Sequence, residues 1–243
     1  MSNLLKDFLK NKKVVFYGDS ITHNWEKYDH DYNLTQGENH EYGLGYGHVK
    51  MLNDACNFKK VDNFAVSGGC YANCMDINPM RAHFRHFGYQ VMNSLEVLKE
   101  AEVVFVMFGS NDYSEQVPFG DFTDVATCEK QSNMTFYGGM NHGFNKIKEV
   151  NPNAKIFVIN VLNRTCPVEA NRTFNFSVSE YNLAIAHACR IHNIQLIDVS
   201  KLFVLPDNFP GGNKTIYTDD GLHPNHEGYV ALTDYILNQE VCY

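Results

Sequence analysis

The stretch Lys13-Val14-Val15-Phe16-Tyr17-Gly18-Asp19-Ser20 decides the fold. From Lys13 to Tyr17 it is an almost unbroken run of β-branched and aromatic residues, the pattern of a strand covered on both faces, as in a parallel sheet. Gly18, Asp19 and Ser20 follow at once. The chain must therefore leave this strand on a tight turn that presents a serine where the next helix begins.

Four more segments read the same way: Val61–Ala65, Glu102–Phe108, Lys155–Val161 and Ile194–Val199. Helical patterns lie between them. The clearest is Ser177–His192, where Ser177 and Glu180 have capping-box spacing and Val178, Tyr181, Ile185 and Ala188 share one face. Asn133–Val150, Tyr89–Lys99 and a last helix from about Asn225 to Leu237 complete the set. Strands alternating with helices predict a doubly wound α/β structure. The 243 residues show no internal repeat and no linker, so 1–243 reads as a single domain.

The connections point to one rim. In an open parallel sheet, ligands bind beyond the carboxyl ends of the strands. Gly18-Asp19-Ser20, Ser67-Gly68-Gly69 and Gly109-Ser110-Asn111-Asp112 each follow such an end. The stretches Tyr71–Gly88 and Tyr113–Gln131 are long enough to build walls or a lid there.

Composition narrows the classes of partner. Hydrophobic residues are 44% and charged residues 20% of the chain, and the net charge is -8. That is a soluble globular composition without the positive face that nucleic acid or an anionic membrane requires. The segment Arg81–His86 is the one local basic cluster and reads as solvated surface. Met1–Lys13 contains no apolar run long enough for a signal core or a membrane span. The seven cysteines form no C-x-x-C pair, and Cys70 and Cys74 match no zinc or redox motif. A reduced, cytoplasmic protein is the expectation. The glycosylation-type sequons at Asn163 and Asn171 then read as chance matches.

Ser20 has two readings: a nucleophile on an exposed turn, with its own N–H turned toward a developing anion, or an ordinary helix N-cap. A serine hydroxyl needs an adjacent base, and a histidine serves if a carboxylate fixes its tautomer. Asp220-Gly221-Leu222-His223 has that spacing, on what is otherwise a plain surface turn. Asp219 is the neighbouring alternative carboxylate. Pro224 is expected to open the last helix. Gly68 offers a backbone N–H and Asn111 a side-chain amide as oxyanion donors; the competing roles are a flexible turn and an Asx turn. His83 and His86 lack the companions a metal site needs. His226 reads as a solvated helix residue. Trp25 and Tyr28 are candidates for a pocket wall or for core packing.

Four blocks in order change the weight of these readings. Gly18-Asp19-Ser20, Asn63–Gly68 (NFAVSG), Gly109-Ser110-Asn111-Asp112 and Asp220–His223 (DGLH) together resemble the SGNH/GDSL hydrolases, over about residues 13–230. The resemblance implies a flavodoxin-like three-layer α/β/α fold with a parallel sheet of about five strands. It implies Ser20 as nucleophile, His223 as base and Asp220 as its orienting partner. The N–H groups of Ser20 and Gly68 and the side chain of Asn111 would form the oxyanion hole, with Asp19 holding the nucleophile turn. Ile21 stands where the first block usually has leucine. No cofactor and no metal are implied.

The expected activity is a serine esterase or acylhydrolase removing a short acyl group such as acetyl from a small-molecule or carbohydrate ester. An acyltransferase on the same triad, or a non-catalytic carbohydrate-binding protein on this fold, are the alternatives. The segments Tyr113–Gln131 and Arg164–Phe176 carry no assignable specificity.

Overall fold

The computed structural model describes residues 4–23, 47–78, 83–126, 134–165, 174–203 and 215–241. Five strands form one sheet: β1 (Lys13–Gly18), β2 (Lys60–Asn63), β3 (Val103–Met107), β4 (Lys155–Ile159) and β5 (Gln195–Ile197). Their order is β2-β1-β3-β4-β5 and every pairing is parallel. This is the flavodoxin-like order, with a change of direction beside β1 that opens a crevice at the strand ends.

The helices among the described residues are α1 (Leu5–Leu9), α2 (Ser20–His23), α3 (His48–Cys56), α4 (Phe87–Met92), α5 (Leu95–Leu98), α6 (Ser110–Glu115), α7 (Phe136–Val150), α8 (Val178–Ile191) and α9 (His226–Leu237). None is long and apolar enough to cross a membrane.

Alternation along the strands explains the three layers. Successive side chains of a strand point to opposite faces. Val15, Tyr17, Val104, Val106, Ile156 and Val158 face one core, closed by α4, α5, α7 and α8. Val14, Phe16, Val103, Phe105, Phe157 and Ile159 face the other, closed by α1, α3 and α9. Because Phe16 is in register with Phe105, and Phe105 with Phe157, the three rings stack in a row across β1, β3 and β4, with centroids 5.0 and 5.3 Å apart. Each buried phenylalanine contributes roughly 1.5–3 kcal/mol of burial free energy, and the stacking fixes register besides.

The predicted elements differ from the observed ones mainly at their ends. The segment expected as strand to Ala65 leaves the ladder at Asn63, whose side chain accepts from the Ala65 N–H and donates to the Thr22 carbonyl. The helix expected over Tyr89–Lys99 is broken into α4 and α5. At the break Ser94 bonds both the Tyr17 hydroxyl and the Val91 carbonyl, an alternative partner that competes with a continuous helix. Pro224 does not open α9: it lies in a bridge with Thr218, and Asn225 caps the helix by accepting from the Gly228 N–H. The start of Tyr71–Gly88 is core and not lid, with Tyr71, Ala72 and Cys74 buried.

The capping box of α8 is formed as expected: Ser177 accepts from the Glu180 N–H, and the Glu180 carboxylate accepts from the Ser177 N–H at 2.7 Å. Ser177→Ala should lower stability by about 1 kcal/mol. Urea denaturation checks this.

Candidate active site

The site begins with Gly18, whose surroundings leave no room for a side chain. A Cβ there would lie 2.5 Å from Thr22 Oγ1 and 2.9 Å from the Met107 carbonyl oxygen. The peptide groups of Gly18 are fully engaged. Its carbonyl accepts from the Val66 N–H at 3.0 Å and from Gln90 Nε2 at 3.0 Å, while its N–H donates to Gln90 Oε1 at 3.2 Å. Gln90 reaches across from α4 and is 2% exposed, so it acts as a buried clasp on the strand end. Asp19, also buried, accepts from the Ile21 N–H at 2.9 Å and so closes the turn that starts α2.

Ser20 then projects toward the turn before α9. Its Oγ lies 2.8 Å from His223 Nε2, across 203 positions of sequence. His223 Nδ1 lies 2.6 Å from Asp220 Oδ2. The same carboxylate accepts through Oδ1 from the N–H groups of Leu222 at 2.9 Å and His223 at 2.8 Å. Burial pushes the Asp220 carboxyl up, but the bonds from the His223 side chain and these N–H groups outweigh it, and the group is held below its ordinary range. The three-residue offset that favours Asp220 over Asp219 is thus the one the folded turn uses. With Asp220 ionised, Nδ1 keeps its proton and Nε2 is left to accept one from Ser20.

The candidate oxyanion donors gather at the same rim. Gly68 has a φ of 76°, in the region that favours glycine. Among the described residues no acceptor meets the N–H of Ser20 or of Gly68. Asn111, 8% exposed, directs Nδ2 to the Gly69 carbonyl at 2.8 Å, with Asp19 Oδ2 at 3.4 Å. One amide hydrogen is therefore firmly used and the second is weakly held.

Asp112, the last residue of that block, has a different task. Its two oxygens accept from the N–H groups of Tyr71 at 3.0 Å and Ala72 at 3.1 Å, pinning the chain just beyond Gly68-Gly69. Cys70, Cys74 and Asp112 bring ligand-type atoms within 4.8 Å of one another. The thiols face the carbonyls of Gly68 and Ala72, and the carboxylate is spent on two N–H groups, so the cluster serves as a polar junction of the core. His86 is buried and caps α4 by accepting from the Tyr89 N–H; His226 is exposed at the start of α9. Trp25, Tyr28, Arg81 and Asn171 lie outside the described residues.

A model of the GDSL-like lipase/acylhydrolase family matches residues 16–231, which include all four blocks. The chain belongs to this family. The family's members are ester hydrolases, and hydrolase is the general class of this acylhydrolase-family chain. No curated protein sequence matches it. Solved structures with the same fold include a protein from Lactobacillus plantarum, with 19% identity and a TM-score of 0.66 over 93% of this chain and 95% of that one. A possible lipase from Chitinophaga pinensis has 21% identity and a TM-score of 0.58 over 93% and 96%. A GDSL-like lipase from Bacteroides thetaiotaomicron has 18% identity and a TM-score of 0.51 over 93% and 86%. At such identities the likeness establishes the three-layer α/β/α fold.

Burial drives the Asp112 carboxyl up to about 7, against the pull of the Ala72 and Tyr71 N–H groups. In an unfolded chain an aspartate titrates near ~3.9. Between those values the native protein binds the extra proton, so its stability falls as pH rises from about 4 to about 7. Denaturation of the wild type and of Asp112→Asn across this range should show the wild type losing about 1–4 kcal/mol relative to the variant, which carries no titrating group there.

Proposed function

We propose that this acylhydrolase-family chain is a serine esterase that removes a short acyl group, such as acetyl, from a small-molecule or carbohydrate ester. Ser20 attacks the ester carbonyl while His223 takes the hydroxyl proton at Nε2. The tetrahedral oxyanion is met by the N–H groups of Ser20 and Gly68 and by the weakly held amide hydrogen of Asn111, which turns from Asp19 toward the stronger charge. Collapse of the intermediate expels the alcohol, which leaves with the proton from His223. Water then repeats the sequence on the acyl-serine and releases the acid. Asp220 holds the imidazole in the required tautomer and steadies its cationic form.

The observation that carries this reading is the continuous chain from Ser20 Oγ to His223 Nε2, 2.8 Å, and from His223 Nδ1 to Asp220 Oδ2, 2.6 Å. A serine acting only as a helix cap has no need of a histidine fixed by a carboxylate.

Hydrolysis of 4-nitrophenyl acetate tests it. Ser20→Ala should lower turnover by about four to six orders of magnitude, and Asp220→Asn by about four. A fluorophosphonate should label the wild type at Ser20 and leave Ser20→Ala unlabelled. Equal turnover by wild type and Ser20→Ala would end the proposal.

The pH profile gives an independent check. Asp220 is held ionised through mildly acidic conditions, so only the base should titrate on the acid limb. A histidine must be neutral to accept the proton, so kcat/KM should rise with unit slope on a logarithmic plot from acid toward neutral pH and then level. A flat profile there argues against a histidine base.

A further inference from the structure

We propose that Arg164 and the cavity it walls form a subsite for an anionic group on the substrate, a carboxylate or its equivalent, so that the preferred esters carry negative charge. The inference rests on the hydrolase reading and adds a substrate class to it.

Arg164 lies between the two arms of the site. Its Nη1 donates to the Ser110 carbonyl at 2.9 Å, to Ser110 Oγ at 2.9 Å and to Ser114 Oγ at 3.0 Å. Ser110 immediately precedes Asn111. The next residue, Thr165, donates its N–H to the Gly221 carbonyl at 3.0 Å, and Gly221 lies between Asp220 and His223. One short loop thus touches both the oxyanion side and the base side. On its far side Asn163 bonds the carbonyls of Ser200 and Leu202, which anchors the loop against the turn after β5.

Arg164 is held differently from the paired lysines. The described lysine ion pairs sit on the surface with carboxylate partners, as in Lys12 with Glu102 and Lys13 with Glu100. Arg164 has no carboxylate partner among the described residues, although acidic residues outnumber basic ones, 28 to 20. Three neutral oxygens hold one nitrogen, the Tyr113 ring supports the guanidinium at 5.1 Å, and the buried Nε meets no acceptor. A half-buried guanidinium has lost part of its hydration, and a counter-ion from outside would restore the interaction. Its position is preset by Ser110, Ser114 and Tyr113, so little freedom is lost on binding.

The space beside it fits that role. A cavity of about 430 Å³ is walled by Arg164 with Thr165, Ser200, Phe203, Thr215 and Thr218, and no acidic residue is in its lining among the described residues. That volume is within the usual range for small-ligand sites.

The test compares 4-nitrophenyl hydrogen succinate, with its charge on the acyl side, and 4-acetoxybenzoate, with its charge on the alcohol side. Each is set against the same molecule with its carboxyl blocked as a methyl ester, at low ionic strength and after subtraction of the uncatalysed rate. The wild type should prefer at least one charged ester by about tenfold or more in kcat/KM, mainly through a lower KM. Arg164→Gln should lose that preference and Arg164→Lys should keep part of it. Should Arg164→Gln fail to fold, Ser200→Asp reads the same point by placing a carboxylate on the cavity wall, and it should abolish or invert the preference. A wild type that cleaves the blocked esters as well as or better than the charged ones overturns the anionic subsite while leaving the hydrolase reading intact. A preference that survives Arg164→Gln, or a Ser200→Asp variant used in its place, overturns the assignment to this cavity. A wild type that cleaves neither these four esters nor 4-nitrophenyl acetate overturns the short-acyl esterase reading on which the inference rests.

Discussion

The immobilised peptide of Gly18 is the constraint on which the rest of the site depends. A strand that ends in the middle of a parallel sheet has its flanks occupied by neighbours, and here the closing turn must pass within van der Waals contact of Thr22 and the Met107 carbonyl. Only a residue without Cβ allows that approach. The buried amide of Gln90 then satisfies both polar groups of the glycine, which would otherwise be costly to bury. With the strand end fixed, Asp19 can turn back to the Ile21 N–H and Ser20 can project only toward the rim.

The same economy governs the second and third strand ends. Asn63 stitches the chain after β2 to the Thr22 carbonyl, at the end of the serine's own short helix. Asp112 grips the N–H groups of Tyr71 and Ala72, just past the glycine pair that supplies the proposed oxyanion donor. These polar side chains are buried and act on backbone. They hold in place the loops that carry Ser20, Gly68 and Asn111, the proposed oxyanion donors, and donors fixed in advance are what make electrostatic stabilisation effective.

Much of this was legible in the sequence for particular reasons. The strands were visible because residues covered on both faces leave a continuous apolar run, and the α8 start because a capping box is a local, three-residue device. Ser20, Asp220 and His223 could be named from the order of four blocks. Other features carried no such signal. Gln90 bonds backbone atoms 72 residues away, and a lone glutamine in a helical stretch looks like any other. Arg164 is held by serines 50 and 54 residues distant, inside a segment without periodicity. The break between α4 and α5 depends on the Tyr17 hydroxyl reaching Ser94, again a contact remote in sequence.

The sequence by itself determined the layer architecture, the parallel sheet and the identity of the residues at its rim, because alternation, capping and tight turns are properties of neighbouring residues. Only the tertiary structure decided that a hydroxyl and an imidazole 203 positions apart meet at hydrogen-bond distance, and that the Asn111 amide leans on the Gly69 carbonyl. It likewise decided that a guanidinium with no carboxylate partner among the described residues is held on Ser110, next to Asn111. Those outcomes depend on where the packed core sets the loops, and packing is settled by the chain as a whole.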